Sequence, residues 1–130
     1  MIAKSITDRA GSSHWFEYGF VTYSNGAKSD LLGVDPEIIE SEGAVSDATV
    51  RAMAEGALAR ASADYAVAVS GVAGPGGGTA RNPVGSVWIA CAGGGATSTE
   101  HLQLTGDRAR IRERSAWRAL EMLRERMIEA

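Results

Sequence analysis

A glycine-rich stretch between two apolar runs limits the folds open to this chain more than any other feature. Residues 65–69 and 84–92 are nearly continuously apolar, and residues 70–78 between them contain five glycines. The apolar runs predict central strands that are covered on both faces. Glycines allow positive φ angles and a close approach of the backbone to a ligand, and successive amides can cradle an anion. We interpret the stretch as a binding loop; the alternative is a long flexible connection.

Apolar periodicity and capping residues organise the rest of the chain. They predict helices over residues 1–10, 27–32 and 46–62, a short helical turn starting at Asp35 and Pro36, and a final helix capped by Thr105 or Asp107. An aromatic and β-branched run predicts a strand over residues 15–23, and residues 97–104 predict a hairpin partner after three glycines. We therefore expect one domain, residues 1–130, with an α/β fold: an α/β/α sandwich with a mixed sheet.

Composition and charge exclude several functional classes. The chain is 45% apolar and 22% charged, with apolar runs much shorter than a membrane span, so we expect a cytoplasmic protein without membrane contact. One cysteine and two distant histidines provide no metal-ligand spacing, and neither a metal nor a cofactor is expected. Residues 107–130 hold seven arginines, but five acidic residues are interspersed. A solvated, salt-bridged helix face therefore explains them better than nucleic-acid binding does.

Two side chains that could move protons flank a predicted turn from strand to helix. Tyr23 and Lys28 are five positions apart, joined by four residues that include Asn25-Gly26. A partly desolvated lysine can lose its proton and act as a base, and a phenol can relay a proton. A tyrosine and a lysine at this spacing are more often packing or surface residues, so the spacing alone does not establish a site.

The strings around these residues are more specific when they are taken together. In chain order, they closely resemble the carboxy-terminal domain family of CinA, the competence- and damage-inducible proteins, over essentially the whole chain. The matching strings are Phe20-Val21-Thr22-Tyr23-Ser24-Asn25-Gly26-Ala27-Lys28, Leu32-Gly33-Val34, Gly43-Ala44-Val45-Ser46, Ser70-Gly71-Val72-Ala73-Gly74-Pro75-Gly76-Gly77, Pro83-Val84-Gly85-Ser86-Val87-Trp88 and Gly106-Asp107-Arg108.

The resemblance implies a nicotinamide-nucleotide amidase, which hydrolyses the carboxamide of nicotinamide mononucleotide to nicotinate mononucleotide and ammonia in pyridine-nucleotide recycling. It implies catalytic roles for Tyr23 and Lys28, and a small pyridine nucleotide as the partner of a chain that we expect to form homo-oligomers. An arginine at the start of a helix suits the substrate phosphate, although a surface ion pair is an equal alternative for Arg108. The expected substrate-binding residues are Ser70, Gly71, Ala73, Gly74, Pro75, Gly76 and Arg108.

The family's nucleophile motif, Ser-Cys-Thr-Gly-Gly, does not occur in these residues. The resemblance aligns Met1 with the position just after that motif, and the first predicted helix begins without a cap. We therefore expect a chain that lacks its first strand and is inactive as it stands, whether its true start lies upstream, the sequence is a fragment, or it is a degenerate member that folds without that strand. Ser24, Ser70 and Cys91 are weaker candidates for a replacement, because a turn, a binding role and a buried strand explain them better.

Three functional classes remain open at this level. The first is a pyridine-nucleotide amidohydrolase. The second is a catalytically dead module that binds nucleotides or forms oligomers. The third is a nucleic-acid-associated module that uses the C-terminal arginines, and the acidic residues interspersed among those arginines argue against it.

Overall fold

The structure, a computed structural model, describes residues 1–129. Within them, five α-helices and a short 3-10 helix surround a three-stranded sheet. The helices are α1 (Ile2–Thr7), α2 (Asn25–Leu32), α3 (Pro36–Glu42), α4 (Asp47–Ala61) and α5 (Arg108–Glu129), with the 3-10 turn at Ser12–His14; the strands are β1 (Tyr65–Gly71), β2 (Ser86–Gly93) and β3 (Ala96–Gln103).

The sheet has the order β1-β2-β3, and both pairs of strands are antiparallel. Tyr65 pairs with Gly93 at one end of β1, and Gly71 pairs with Val87 at the other. Gly94 and Gly95 form the two-residue turn between β2 and β3 with φ angles of 66° and 84°, as a tight hairpin of this hand requires. β2 is the central strand, which explains its nearly unbroken apolar sequence.

Helices cover both faces of the sheet. On one face, Ala68 of β1 and Ala90 of β2 pack with Val50 and Met53 of α4, and small side chains here allow the helix to lie close. On the other face, Ile89 of β2 packs with residues of α5 such as Ile111, Ala119 and Met122. The predicted α/β class and its three layers are therefore confirmed.

Local capping sets where the helices begin, and most of it was predicted. The Ser46 hydroxyl accepts from the Thr49 N–H at the start of α4, and the Asp107 carboxylate accepts from the Arg110 N–H at the start of α5. Ser24 caps α2 in the same way. Each bond satisfies one of the amides that a helix N-terminus leaves without an intrahelical partner.

The strand predicted over residues 15–23 is wrong. This segment forms no regular secondary structure, and its side chains at Trp15, Val21 and Tyr23 are largely exposed. Phe20 packs against the core on the α4 side, so the segment lies along that face. Aromatic and β-branched residues favour a strand only where a neighbouring strand takes up their backbone hydrogen bonds, and no described strand does so here.

The mixed sheet was also an incorrect expectation, for the same reason. A parallel pair would have required residues 15–23 to form a strand that α2, α3 and α4 connect to β1. Without it, the described sheet is antiparallel throughout, and β1 pairs on one side only. The helix predicted over residues 1–10 is shorter as well, since α1 ends at Thr7.

Candidate functional site

The glycine-rich loop, residues 72–85, begins where β1 ends against β2. The Ser70 hydroxyl donates to the Ala44 carbonyl at 2.8 Å, which fixes the end of β1 to the turn between α3 and α4. A Cβ at Gly71 would lie 2.8 Å from Cγ2 of Val87 and 3.0 Å from the Ser86 carbonyl oxygen. Glycine is therefore required here by the close approach of two backbones.

Arg108 joins the middle of the loop to the start of α5. Its guanidinium Nη1 donates to the Gly74 carbonyl at 2.9 Å. Gly74 is buried with a φ of 81°, and a Cβ there would lie 2.6 Å from Cγ1 of Val84. Ala73 packs against the core on the α5 side, while Pro75 and Gly76 are exposed. The loop thus presents an open glycine-rich tip beside a cationic side chain at a helix N-terminus.

Lys28 is a buried amine. It lies in α2 with 6% of its surface exposed, and its Nζ donates to the Thr22 carbonyl at 2.9 Å. Burial lowers the pKa of the Lys28 ammonium from its ordinary value because desolvation disfavours the charged form. A desolvated lysine can lose its proton and act as a base, and a catalytic role for Lys28 stays a prediction.

Tyr23 is in a different environment. Its side chain is 88% exposed, at the end of the extended segment and next to the Ser24 cap of α2. Within residues 1–129, no hydrogen bond joins Tyr23 or Lys28 to residues 70–76. The structure therefore joins Arg108 to Gly74 by a hydrogen bond, and it joins Lys28 to Thr22, in the segment that ends at Tyr23.

The far end of the loop is held by residues that the sequence reasoning missed. Asn82 Nδ2 donates to the Val45 carbonyl at 3.1 Å, and the Ser86 hydroxyl donates to Asn82 Oδ1 at 3.3 Å. Ser86 is fully buried and lies 2.9 Å from Nε2 of His101, whose ring stacks on Trp88. An asparagine before a proline predicts a turn, but nothing in the sequence indicates a partner 37 positions away.

The three side chains considered as replacement nucleophiles have structural roles. Ser24 caps α2, Ser70 is bonded to Ala44, and Cys91 is completely buried in β2. Burial raises the pKa of the Cys91 thiol, although nearby Arg126 opposes the effect. A protonated thiol without solvent access is a poor nucleophile.

Two arginines of α5 bind within the domain. Arg118 contacts both carboxylate oxygens of Glu100 on β3, at 2.6 and 2.9 Å, and Arg126 donates to the Gly93 and Ala96 carbonyls. The hydrogen bonds from Arg118 lower the pKa of Glu100. These contacts fix α5 to the hairpin formed by β2 and β3.

Over residues 1–129, no group of three or more His, Cys, Asp or Glu side chains is placed to hold a metal ion. None of the helices in this part of the chain combines the length and the apolar character needed to cross a membrane.

The fold and loop define an α/β/α domain with a glycine-rich loop fixed to the start of its last helix. The sequence model described as the CinA C-terminal domain matches residues 1–127. The chain belongs to the CinA C-terminal domain family.

Curated relatives and solved structures agree with this assignment. A putative competence-damage inducible protein of Symbiobacterium thermophilum is 53% identical, covering 98% of this chain and 32% of the relative. Nicotinamide-nucleotide amidohydrolase PncC of Enterobacter agglomerans is 55% identical, covering 89% of this chain and 71% of the relative. The crystal structure of competence/damage inducible protein CihA from Agrobacterium tumefaciens is 47% identical with a TM-score of 0.92, covering 94% and 75% of the two chains.

The share of the relatives that is covered differs widely. This chain spans about a third of the length of the first curated relatives it matches, 32% in the Symbiobacterium protein and 29% in a CinA-like protein of Akkermansia muciniphila. The match thus concerns one domain of those longer proteins.

Proposed function

We propose that this domain forms the substrate site of a nicotinamide-nucleotide amidohydrolase acting in the cytoplasm. The substrate is nicotinamide mononucleotide, and the products are nicotinate mononucleotide and ammonia. The observation that carries the proposal is the 55% identity, over 89% of this chain, to a relative named for this activity. Further support comes from the buried amine of Lys28 and from the guanidinium of Arg108, which lies beside the glycine-rich loop.

The proposed roles follow from where charge develops during amide hydrolysis. A serine hydroxyl attacks the carboxamide carbon, an oxyanion forms, ammonia leaves, and water then cleaves the acyl-enzyme ester. In this proposal Lys28, whose pKa is lowered by burial, takes the serine proton and returns it to the leaving nitrogen, and Tyr23 donates a proton. The proposed substrate-binding residues are Ser70, Gly71, Ala73, Gly74, Pro75 and Gly76, with free amides of the loop as donors to the oxyanion, and Arg108 binds the phosphate.

Ammonia release from nicotinamide mononucleotide tests this proposal. We expect none from residues 1–130, which contain no Ser-Cys-Thr-Gly-Gly. We expect measurable release from the same chain preceded by the corresponding segment of the Enterobacter agglomerans relative. Replacing the serine of the restored Ser-Cys-Thr-Gly-Gly motif with alanine should abolish ammonia release, and so should Lys28→Met. A folded chimera that neither binds nor hydrolyses the nucleotide would refute the function.

A catalytically dead module that binds nucleotides is the second candidate. The observation in its favour is the exposure of Tyr23, which has no hydrogen bond to Lys28 or the loop among the described residues. This candidate requires saturable binding of nicotinamide mononucleotide without ammonia release even in the chimera. Turnover there would exclude it.

A further inference from the structure

One residue just before the glycine-rich loop and one in its returning half bond to consecutive carbonyls of a single turn. The Ser70 hydroxyl donates to the Ala44 carbonyl, and the Asn82 side chain donates to the Val45 carbonyl. The same turn begins α4, because the Gly43 carbonyl accepts from the Ser46 and Thr49 hydroxyls. We call residues 43–46 the clamp turn.

Asn82 is bonded through its backbone as well as its side chain. Its N–H donates to the Thr79 hydroxyl at 3.0 Å, and its carbonyl accepts from the Thr79 N–H at 2.9 Å. Its amide nitrogen and oxygen contact Val45 and Ser86. One side chain therefore sets the position of the returning half of the loop against both the clamp turn and β2.

The direction of this hydrogen-bond chain follows from the clamp turn. A backbone carbonyl only accepts, so the Asn82 amide must turn its NH₂ towards Val45 and its oxygen towards Ser86. Ser86 has a single hydroxyl proton, which it gives to that oxygen. In this arrangement His101 completes the chain when its Nε2 carries a proton and donates to the Ser86 oxygen.

We propose that Asn82 is a positioning residue that holds the glycine-rich loop in its binding conformation, and that Ser86 and His101 orient its amide. The effect of this positioning on substrate binding rests on the proposed function. The loop conformation itself is measurable without any ligand, so the two claims can fail separately.

Hydrogen exchange of the loop, measured by mass spectrometry on the whole chain, is the first test. The isosteric change Asn82→Asp places a carboxylate oxygen against the Val45 carbonyl and removes the donor. We expect roughly five- to tenfold faster exchange over residues 72–82, the effect of losing one or two net hydrogen bonds. Exchange in β2 and β3 should stay unchanged, which separates loop release from unfolding.

Arg81→Gln is the matched control. Arg81 is the adjacent loop residue, and its 3.4 Å ion pair with Glu42 is largely exposed. We expect its loop exchange to equal that of the unmodified chain, since an exposed pair contributes little. Equal exchange in Asn82→Asp and Arg81→Gln would overturn the proposal.

Substitutions at His101 test the orienting role. His101→Phe keeps a ring to stack on Trp88 but lacks the donor, whereas His101→Gln retains an N–H donor for Ser86. We expect faster loop exchange in His101→Phe and recovery in His101→Gln. A merely structural requirement for the aromatic stack would give the opposite order, and that result would refute the orienting role.

Binding of nicotinamide mononucleotide to the chimera completes the test. If the proposed function holds, Asn82→Asp should raise the dissociation constant, because the apparent constant rises as the fraction of molecules with an ordered loop falls, and Arg81→Gln should not. Faster exchange with unchanged affinity would limit Asn82 to ordering the loop and refute its role towards substrate. Faster exchange in a chimera that binds no nucleotide at all would instead refute the proposed function.

Discussion

Two cationic side chains, Lys28 and Arg108, differ in how far the fold removes them from water. Lys28 is buried against the Thr22 carbonyl, whereas Arg108 is exposed and only its contact with Gly74 is partly covered. A buried amine responds through its protonation state, and an exposed guanidinium acts through its permanent charge. The two residues therefore require different tests.

The stability of the chain should depend on the protonation of Lys28. Its folded pKa lies below its unfolded value, so the unfolded state holds the proton between the two pKa values. The free energy of unfolding should therefore rise with pH across that window, relative to Lys28→Met, and level off above the unfolded pKa. Urea unfolding from pH 7 to 11 measures this difference.

Lys4→Met is the control for the Lys28 prediction, because Lys4 is exposed and forms an exposed ion pair with Asp8, the residue that follows α1. The difference in the free energy of unfolding between Lys4→Met and the unmodified chain should vary little over the pH range. A flat difference for Lys28→Met as well would contradict a lowered pKa at Lys28.

Arg108 should contribute to affinity through the substrate phosphate. In the active chimera, Arg108→Ala should raise KM for nicotinamide mononucleotide by roughly tenfold or more, the effect of one charge-assisted hydrogen bond. The KM for the phosphate-free riboside should change much less. Arg112→Ala, one turn along α5, is the matched control. An equal loss for both substrates would mean that Arg108 acts by holding Gly74.

At the scale of elements, close helix contacts depend on small residues that the sequence only partly reveals. α4 crosses α2 at Gly56, where a Cβ would overlap the Leu32 carbonyl oxygen. The alanines of α4 allowed close helix packing to be predicted from the sequence. The identity of the crossing residue could not be predicted, because it depends on where two helices meet in space.

Gly56→Ala should destabilise the chain although alanine favours helix by about 1 kcal/mol. The added methyl group must displace α2 from α4, and overpacking of this kind costs roughly 1–3 kcal/mol. Gly26→Ala in α2 is the control, since the nearest atom to its Cβ is the Ser24 hydroxyl at 3.9 Å. The melting temperature of Gly26→Ala should equal or exceed that of the unmodified chain, and that of Gly56→Ala should be lower. Equal melting temperatures for the two variants would contradict the close crossing.

For the whole molecule, local signals predicted most of the elements and long-range contacts decided the rest. Ser46 and Asp107 were readable as caps because a cap needs only the next three residues. Residues 15–23 were misread because a strand requires a neighbour that composition cannot provide. Ser70, Gly74 and Arg108 were placed near one another by resemblance, whereas the clamp turn, with its partners 26 and 37 positions away, had no local signal.

The open side of β1 predicts self-association of the described domain. β1 pairs only with β2, and an unpaired apolar strand is a template for another chain. We expect β1 amides to exchange more slowly as protein concentration rises, together with a larger sedimentation coefficient. Amides of β3, the other edge, serve as the internal control because that strand is mainly polar. A single monomeric species with exchange independent of concentration would contradict this.

The clamp turn has a consequence for communication within the domain. The clamp turn begins α4 and also accepts the hydrogen bonds from Ser70 and Asn82. Fraying of α4 and opening of the loop would therefore break hydrogen bonds to the same four residues. A ligand that orders the glycine-rich loop should therefore also reduce the backbone motion of the first turn of α4. Motion recorded at Thr49 would then report occupancy of a site that Thr49 itself does not touch.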